Sequence, residues 1–192
     1  MTIIVLLAAL AGLATAPAAP APDRPEAFAC DAAGGDFEEI KNVSVGPEHR
    51  ISGRLTPRRY RRHGRARPTA TVKFYSPEMR RAAGFQVTRR PGQDRLAILV
   101  IETRATGNTT MQAGWLRLGE ELRFELNIGP GGRGHVEING RRSALATDLG
   151  TRAEVSVSCS TGKFDYRALD WGNAREGMPA AGGGAAPERS QP

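Results

Sequence analysis

Between Leu122 and Arg141 the chain reads Leu-Arg-Phe-Glu-Leu-Asn-Ile, then a glycine-rich link, His-Val-Glu-Ile and Asn-Gly-Arg. Leu122, Phe124, Leu126 and Ile128 alternate with Arg123, Glu125 and Asn127. A period of two puts the apolar set on one face of a strand and the polar set on the other. Gly129 to Gly134 turns the chain, and Val136 and Ile138 resume the apolar face on a returning strand. Asn139-Gly140 is a strong signal for a two-residue hairpin turn, because both central residues must reach positive φ. The stretch predicts an antiparallel meander with one dry and one wet face.

The rest of the chain fits the same mould. Phe37 to Val45, His49 to Leu55, Thr69 to Tyr75, Phe85 to Thr88, Met111 to Leu118, Glu154 to Ser158 and Lys163 to Trp171 read as further strands. Leu96 to Ile101 is apolar without interruption, which predicts a central strand covered on both faces. Pro57 to Pro68 reads as a loop dense in arginine. Ser76 to Gly84 carries the one helix signal: a capping Ser76, Pro77 at the first position, Glu78 at the positive end and a closing Gly84. About ten short strands separated by turns, with one short helix, predict an all-β antiparallel sandwich or barrel.

Residues 1–18 read as an export signal, an apolar run followed by small residues, with cleavage after Ala18. No lysine or arginine precedes the run, and an uncleaved anchor is the competing reading. Residues 19–29 form an Ala/Pro-rich linker, 30–173 the β-sandwich domain and 174–192 a disordered tail. The mature chain would be periplasmic or secreted, with no transmembrane segment after cleavage. Its two cysteines, Cys30 and Cys159, then read as a disulfide. Two free buried thiols are the alternative.

The net charge of +7 is local in origin. Arg50 to Arg67 holds eight arginines and no acid, whereas Leu96 to Trp171 holds nine basic and nine acidic residues. Such a run suits nucleic acid, anionic lipid or acidic polysaccharide. Export argues against nucleic acid, as does the single interleaved aromatic, Tyr60.

Catalytic constellations are thin. His49, His63 and His135 lack metal-ligand spacing, and no metal or cofactor is expected. Glu121 and Glu125 share a strand face but stand roughly 13 Å apart, too far for paired-carboxylate catalysis. No helix follows Gly129 to Gly134, so that link is a turn and not a phosphate loop.

Phe164 to Asn173 carries more information. Phe164, Tyr166 and Ala168 fall on one face, toward the core. Asp165, Arg167, Leu169, Trp171 and Asn173 fall on the other. A charged group, an indole plate and an amide on one strand face suit sugar recognition: C–H faces stack on the ring, and hydroxyls and carboxylates take hydrogen bonds.

The order Leu118 to Leu126, glycine turn, His135 to Gly140 and this last strand resembles the concanavalin A-like jelly rolls, and is most similar to the alginate lyase family of polysaccharide lyases. That family has a Tyr-x-Lys-x-Gly-x-Tyr-x-Gln strand, a Gln-Ile-His strand and an Arg-x-Glu-Leu-Arg motif. The resemblance puts Arg167 at the lysine, Trp171 at the second tyrosine and Asn173 at the glutamine. It matches Gln86-Val87-Thr88 to the second motif and Phe37 to Lys41 to the third. It implies a jelly roll over residues 37–173, with Gln86, Thr88, Arg167, Trp171 and Asn173 as ligand-binding residues. The departures bear on chemistry. Elimination from a uronate needs a neutralised carboxylate and a base. Here Thr88 stands for the histidine, Phe37 for the arginine and Trp171, whose indole only donates, for the tyrosine. The resulting expectation is an exported glycan-binding β-sandwich whose partner is an anionic polysaccharide or oligosaccharide, without the lyase mechanism. The alternatives are a lyase with a rearranged site and an envelope protein that holds anionic polymers through its arginine loop.

Overall fold

The structure, a computed structural model, describes residues 26–61, 64–172 and 174–175. The expected signal segment, Arg62, His63, Asn173 and the tail from residue 176 lie outside the described residues. The strands are β1 (Glu26–Val45), β2 (His49–Tyr60), β3 (Thr69–Tyr75), β4 (Ala82–Arg89), β5 (Leu96–Arg104), β6 (Gly107–Leu116), β7 (Leu122–Ile128), β8 (Gly134–Ile138), β9 (Arg141–Leu145), β10 (Arg152–Asp170) and β11 (Ala174–Arg175). A 3-10 turn, Pro130–Gly132, links β7 to β8. The sheet thus starts within the Ala/Pro linker, and β11 pairs with Val43 and Ser44.

Two strands build both layers. The first part of β10 pairs with β3, from Ser160↔Thr69 to Glu154↔Tyr75, and its second part pairs with β2. β1 follows β10 along its whole length, with a register shift between Ala32 and Phe37. Thr161 at φ 56° and Gly35 at φ 91° mark the bends. Sheet I therefore runs β11-β1-β10-β3-β4-β5-β6 and sheet II runs β1-β10-β2-β7-β8-β9. Glu154 to Ser158 and Lys163 to Trp171, read as two strands from the sequence, are largely one strand, β10, with a kink at Thr161.

Between the layers lie Val72, Phe74, Phe85, Val87, Ile98 and Val100 from sheet I. Ile51, Leu55, Leu122, Phe124, Leu126, Val136 and Ile138 meet them from sheet II. The rings of Phe85 and Phe124 touch across the gap at 5.0 Å between centroids. The predicted meander is present: β7 and β8 pair from Phe124↔Ile138 to Ile128↔Gly134, and Asn139 and Gly140 hold positive φ. Cys30 and Cys159 are bonded, with Cα atoms 6.0 Å apart. Because Cys30 pairs within sheet II and Cys159 within sheet I, the bridge crosses between layers.

Three expectations need correction. The Ser76–Gly84 helix is a turn. Tyr75 pairs with Ala82, leaving too few residues for a helix, and Met79 takes φ 59°. Ser76 still uses its hydroxyl, accepting the Arg81 amide across the turn at 3.1 Å. The arginine loop is shorter than expected, because β2 runs on to Tyr60 with Arg58 bound to Asp165 at 2.7 Å. Finally, β5 is covered fully only on its inner face: on the outer face Ala97 is buried, but Leu99 and Ile101 are only partly so.

Candidate functional site

Register fixes which side chains share the outer face of sheet I. One cross-strand row runs Phe37, Ser160, Thr69, Thr88, Ala97, Trp115. The next runs Glu39, Ser158, Thr71, Gln86, Leu99, Gln112, and a third begins Lys41, Ser156, Lys73, Gly84. Neighbouring strands lie about 4.8 Å apart, so each row is a continuous line of contacts. The centre is a depression of about 290 Å³ lined by Phe37, Thr69, Thr71, Lys73, Tyr75, Gln86, Ser158, Cys159 and Ser160.

Lys73 has no carboxylate within ion-pair distance among the described residues. Its ammonium sits 5.8 Å from the centre of the Tyr75 ring. Burial pushes its pKa down from the ordinary lysine value. The Tyr75 hydroxyl is pushed up, first by burial and then by Glu39, while Lys41 opposes this and Glu154 adds to it. Lys41, by contrast, is neutralised: Glu154 at 2.7 Å and Glu39 at 3.4 Å hold it. Glu39 also accepts the Ser156 hydroxyl. Gly84 leaves the backbone bare opposite Lys73; a methyl there would lie 2.1 Å from the Val72 carbonyl oxygen. Phe37 presents an aromatic face that is 61% exposed.

Of the residues singled out from sequence, Gln86 and Thr88 are in two of these rows. Thr88 shares a hydrogen bond of 3.0 Å with Thr69. Arg167 lies in sheet II, and Trp171 comes directly after the end of β10. Arg167 pairs in register with Arg54, is well exposed and lies 3.8 Å from Asp165. Trp171 is half-buried against the core, its indole donating to Glu26 at 2.8 Å. The inside–outside count along this strand fails at Ala168, which adopts φ 51° where the register slips between Arg167 and Asp170. That bulge turns Leu169 inward, to 1% exposure, while Ala168 is exposed. Asn173 lies outside the described residues. Tyr166 is buried, as the alternation implied; its hydroxyl donates to the Ser158 carbonyl at 2.7 Å, and burial drives its pKa upward.

The outer face of sheet II is an ion-pair surface. Arg50 meets Glu125 and Asp170, Arg54 meets Glu121, and Arg142 meets Glu137, all at 3.2–3.6 Å. Pairs of this kind contribute little stability and leave few charges free for a ligand. Among the described residues no group of His, Cys, Asp and Glu is arranged to hold a metal. No helix of the described residues is long and apolar enough to cross a membrane.

No protein-family model matches the chain, and no curated protein matches its sequence. Solved structures do match. A polysaccharide lyase of family 18 superposes with a TM-score of 0.57 at 6% identity, over 84% of this chain and 92% of its own. An alginate lyase from Alteromonas sp. 272 gives 0.56 at 6%, with the same coverage. Alginate lyase A1-II', of polysaccharide lyase family 7, gives 0.52 at 10%, over 77% of this chain and 79% of its own.

The fold is that of the alginate lyase jelly rolls. Identity this low carries architecture and not activity. What this jelly roll does must be argued from the residues on its faces. Sequence reasoning missed Lys73, Phe37, Thr71 and Ser158 as neighbours of Gln86. The β3–β4 hairpin sets Thr71 opposite Gln86, with Lys73 the next outward residue on β3; the pairing of β10 with β3 and of β1 with β10 then adds Ser158 and Phe37, and no local signal announces those long-range pairings.

Proposed function

We propose that this jelly roll is an exported protein that binds acidic polysaccharide on the outer face of sheet I and does not use the lyases' Arg/His/Tyr chemistry. Lys73 carries the reading. A lysine drawn partly out of water without a carboxylate partner is destabilising unless something supplies the opposite charge. A uronate carboxylate would do so. Gln86, Thr71 and Ser158 would then take hydroxyl groups, with Thr88 at the margin, and Phe37 would stack on a sugar's apolar face. The even cysteine pair and the short apolar run at the N-terminus support export.

Calorimetric titration against polyuronates and a neutral glucan tests this. Lys73→Met should weaken polyuronate binding by about 10- to 100-fold, the scale of a lost hydrogen bond to a charged group. Phe37→Ala should weaken every ligand that binds. Trp171→Ala and Arg167→Ala should change little. Absence of binding across the panel overturns the proposal.

The closeness of Lys73 to Tyr75, with the ammonium 5.8 Å from the ring centre, favours one second reading, a lyase with a rearranged site. Neutral Lys73 would remove the proton from C5 of a uronate. The C4–O bond would break as the C4–C5 double bond forms, with the Tyr75 hydroxyl giving its proton to the leaving oxygen. The unsaturated product absorbs in the ultraviolet. A panel of polyuronates giving no absorbance rise removes this reading and leaves the binding proposal intact.

A further inference from the structure

Past the Thr69–Thr88 pair, β3 and β4 open onto a second hollow. There the β2–β3 connection faces the β4–β5 turn, and the Arg89 amide donates to the Pro68 carbonyl at 3.1 Å. The hollow measures about 450 Å³, and Arg61, Arg65, Arg67, Arg89 and Arg90 line it without a single acidic residue. Only Arg61 has a carboxylate partner, Asp31; among the described residues the other four have none. This is the reverse of sheet II, where Arg50, Arg54, Arg58 and Arg142 all meet carboxylates. One of the unpaired guanidiniums is also held in place: Arg89 donates from Nε to the Gln93 carbonyl at 3.0 Å and lies 5.4 Å over the Tyr60 ring.

Like charges gathered this closely repel, and the cost is recovered when an anion enters. Guanidinium forks match planar or tetrahedral oxyanions, carboxylate and sulfate alike. We propose that this hollow is an oxyanion subsite that continues the sheet I face and takes a second charged group of the same polysaccharide chain. The inference rests on the polysaccharide reading above. Gln86, Thr88 and Arg90 follow one another at two-residue steps, so the hollow begins roughly 13 Å from Gln86, within reach of a ligand several sugars long. The lining has no aromatic plate for a nucleobase and no large apolar side chain to enter a bilayer.

The test uses the full chain and the triple variant Arg65→Ala/Arg67→Ala/Arg90→Ala, all three exposed positions. The triple variant should unfold no earlier than the parent, because removing like charges relieves their repulsion. Affinity for a long polyuronate should fall at least 10-fold, with a shallower salt dependence, while affinity for a uronate disaccharide stays within twofold. Lys73→Met should weaken both ligands. A triple variant that binds the long polymer as the parent does, at every salt concentration, overturns the subsite while the sheet I reading stands. If Lys73→Met also leaves both ligands unaffected, the polysaccharide reading falls with it. Dextran sulfate bound in place of polyuronate, and lost in the triple variant, would support the oxyanion subsite and name sulfate as its preferred group. Binding to phosphatidylglycerol vesicles that disappears in the triple variant, with polyuronate affinity unchanged, would overturn it in favour of a membrane surface.

Discussion

Lys73 is a lysine that the fold takes partly out of water and does not neutralise. Its lowered pKa means that the unfolded chain holds this proton more tightly than the folded one. Below the folded pKa the penalty is present in full; it is relieved as pH rises toward the unfolded value near 10.5. Lys73→Met should therefore raise the melting temperature at pH 7, and the gain should shrink as the pH is taken toward 10. A variant less stable than the parent at neutral pH would contradict this. Nothing in Thr-Ala-Thr-Val-Lys-Phe-Tyr marks this lysine, since any polar residue satisfies the alternation. Gln86 and Thr88 were legible because two residues on one strand keep their spacing in the fold. Phe37 entered as a departure from a motif, and its exposure becomes visible only when β1 is laid beside β10.

At the level of strands, alternation was reliable wherever the strand was regular and failed at bulges. Leu169 shows why. Ala168 in the left-handed region inverts the count, and Leu169 drops into space left by Gly53, where a methyl would lie 2.9 Å from Leu169 Cδ2 and 3.1 Å from the Phe124 ring. Gly53→Ala should cost about 1–3 kcal/mol through overpacking, read from urea denaturation. An unchanged midpoint would show that Leu169 is free to move aside. Glu102 offers a second case. Burial pushes its carboxyl up, but hydrogen bonds from Thr147 at 2.6 Å, Ala146 at 2.8 Å and Arg104 at 2.7 Å outweigh that and hold it below the usual glutamate range. It thereby pins the connection between β9 and β10 to β5. This contribution is complete above the unfolded pKa and is lost as pH falls through the folded one. Glu102→Gln should destabilise by about 1–3 kcal/mol at pH 7 and by much less near pH 3. Equal losses at both pH values would argue that charge is not involved.

For the whole molecule, the all-β class followed from the period of two, and the disulfide from an even cysteine pair and an apparent export signal. What stayed hidden was that β1 and β10 each serve both layers. Their bends at Gly35 and Thr161 look like ordinary turns in one dimension. The same bend makes the disulfide an inter-layer clamp, closing a separation of 129 residues. Replacing both cysteines by serine should cost up to about 4–5 kcal/mol, the chain-entropy value for a loop that long. A loss below measurement would mean that packing alone holds the layers together.

It is also on this scale that the choice of face is decided, because Gln86 and Arg167 look equally suitable in the sequence and end on different sheets. An amide-resolved NMR titration of the full chain with an oligouronate tests that choice most directly. Shifts should concentrate at Phe37, Thr71, Lys73, Gln86 and Ser158, leaving Ser52, Glu125 and Arg167 unmoved. Shifts confined to the second group would place the ligand on the ion-pair face and contradict the account.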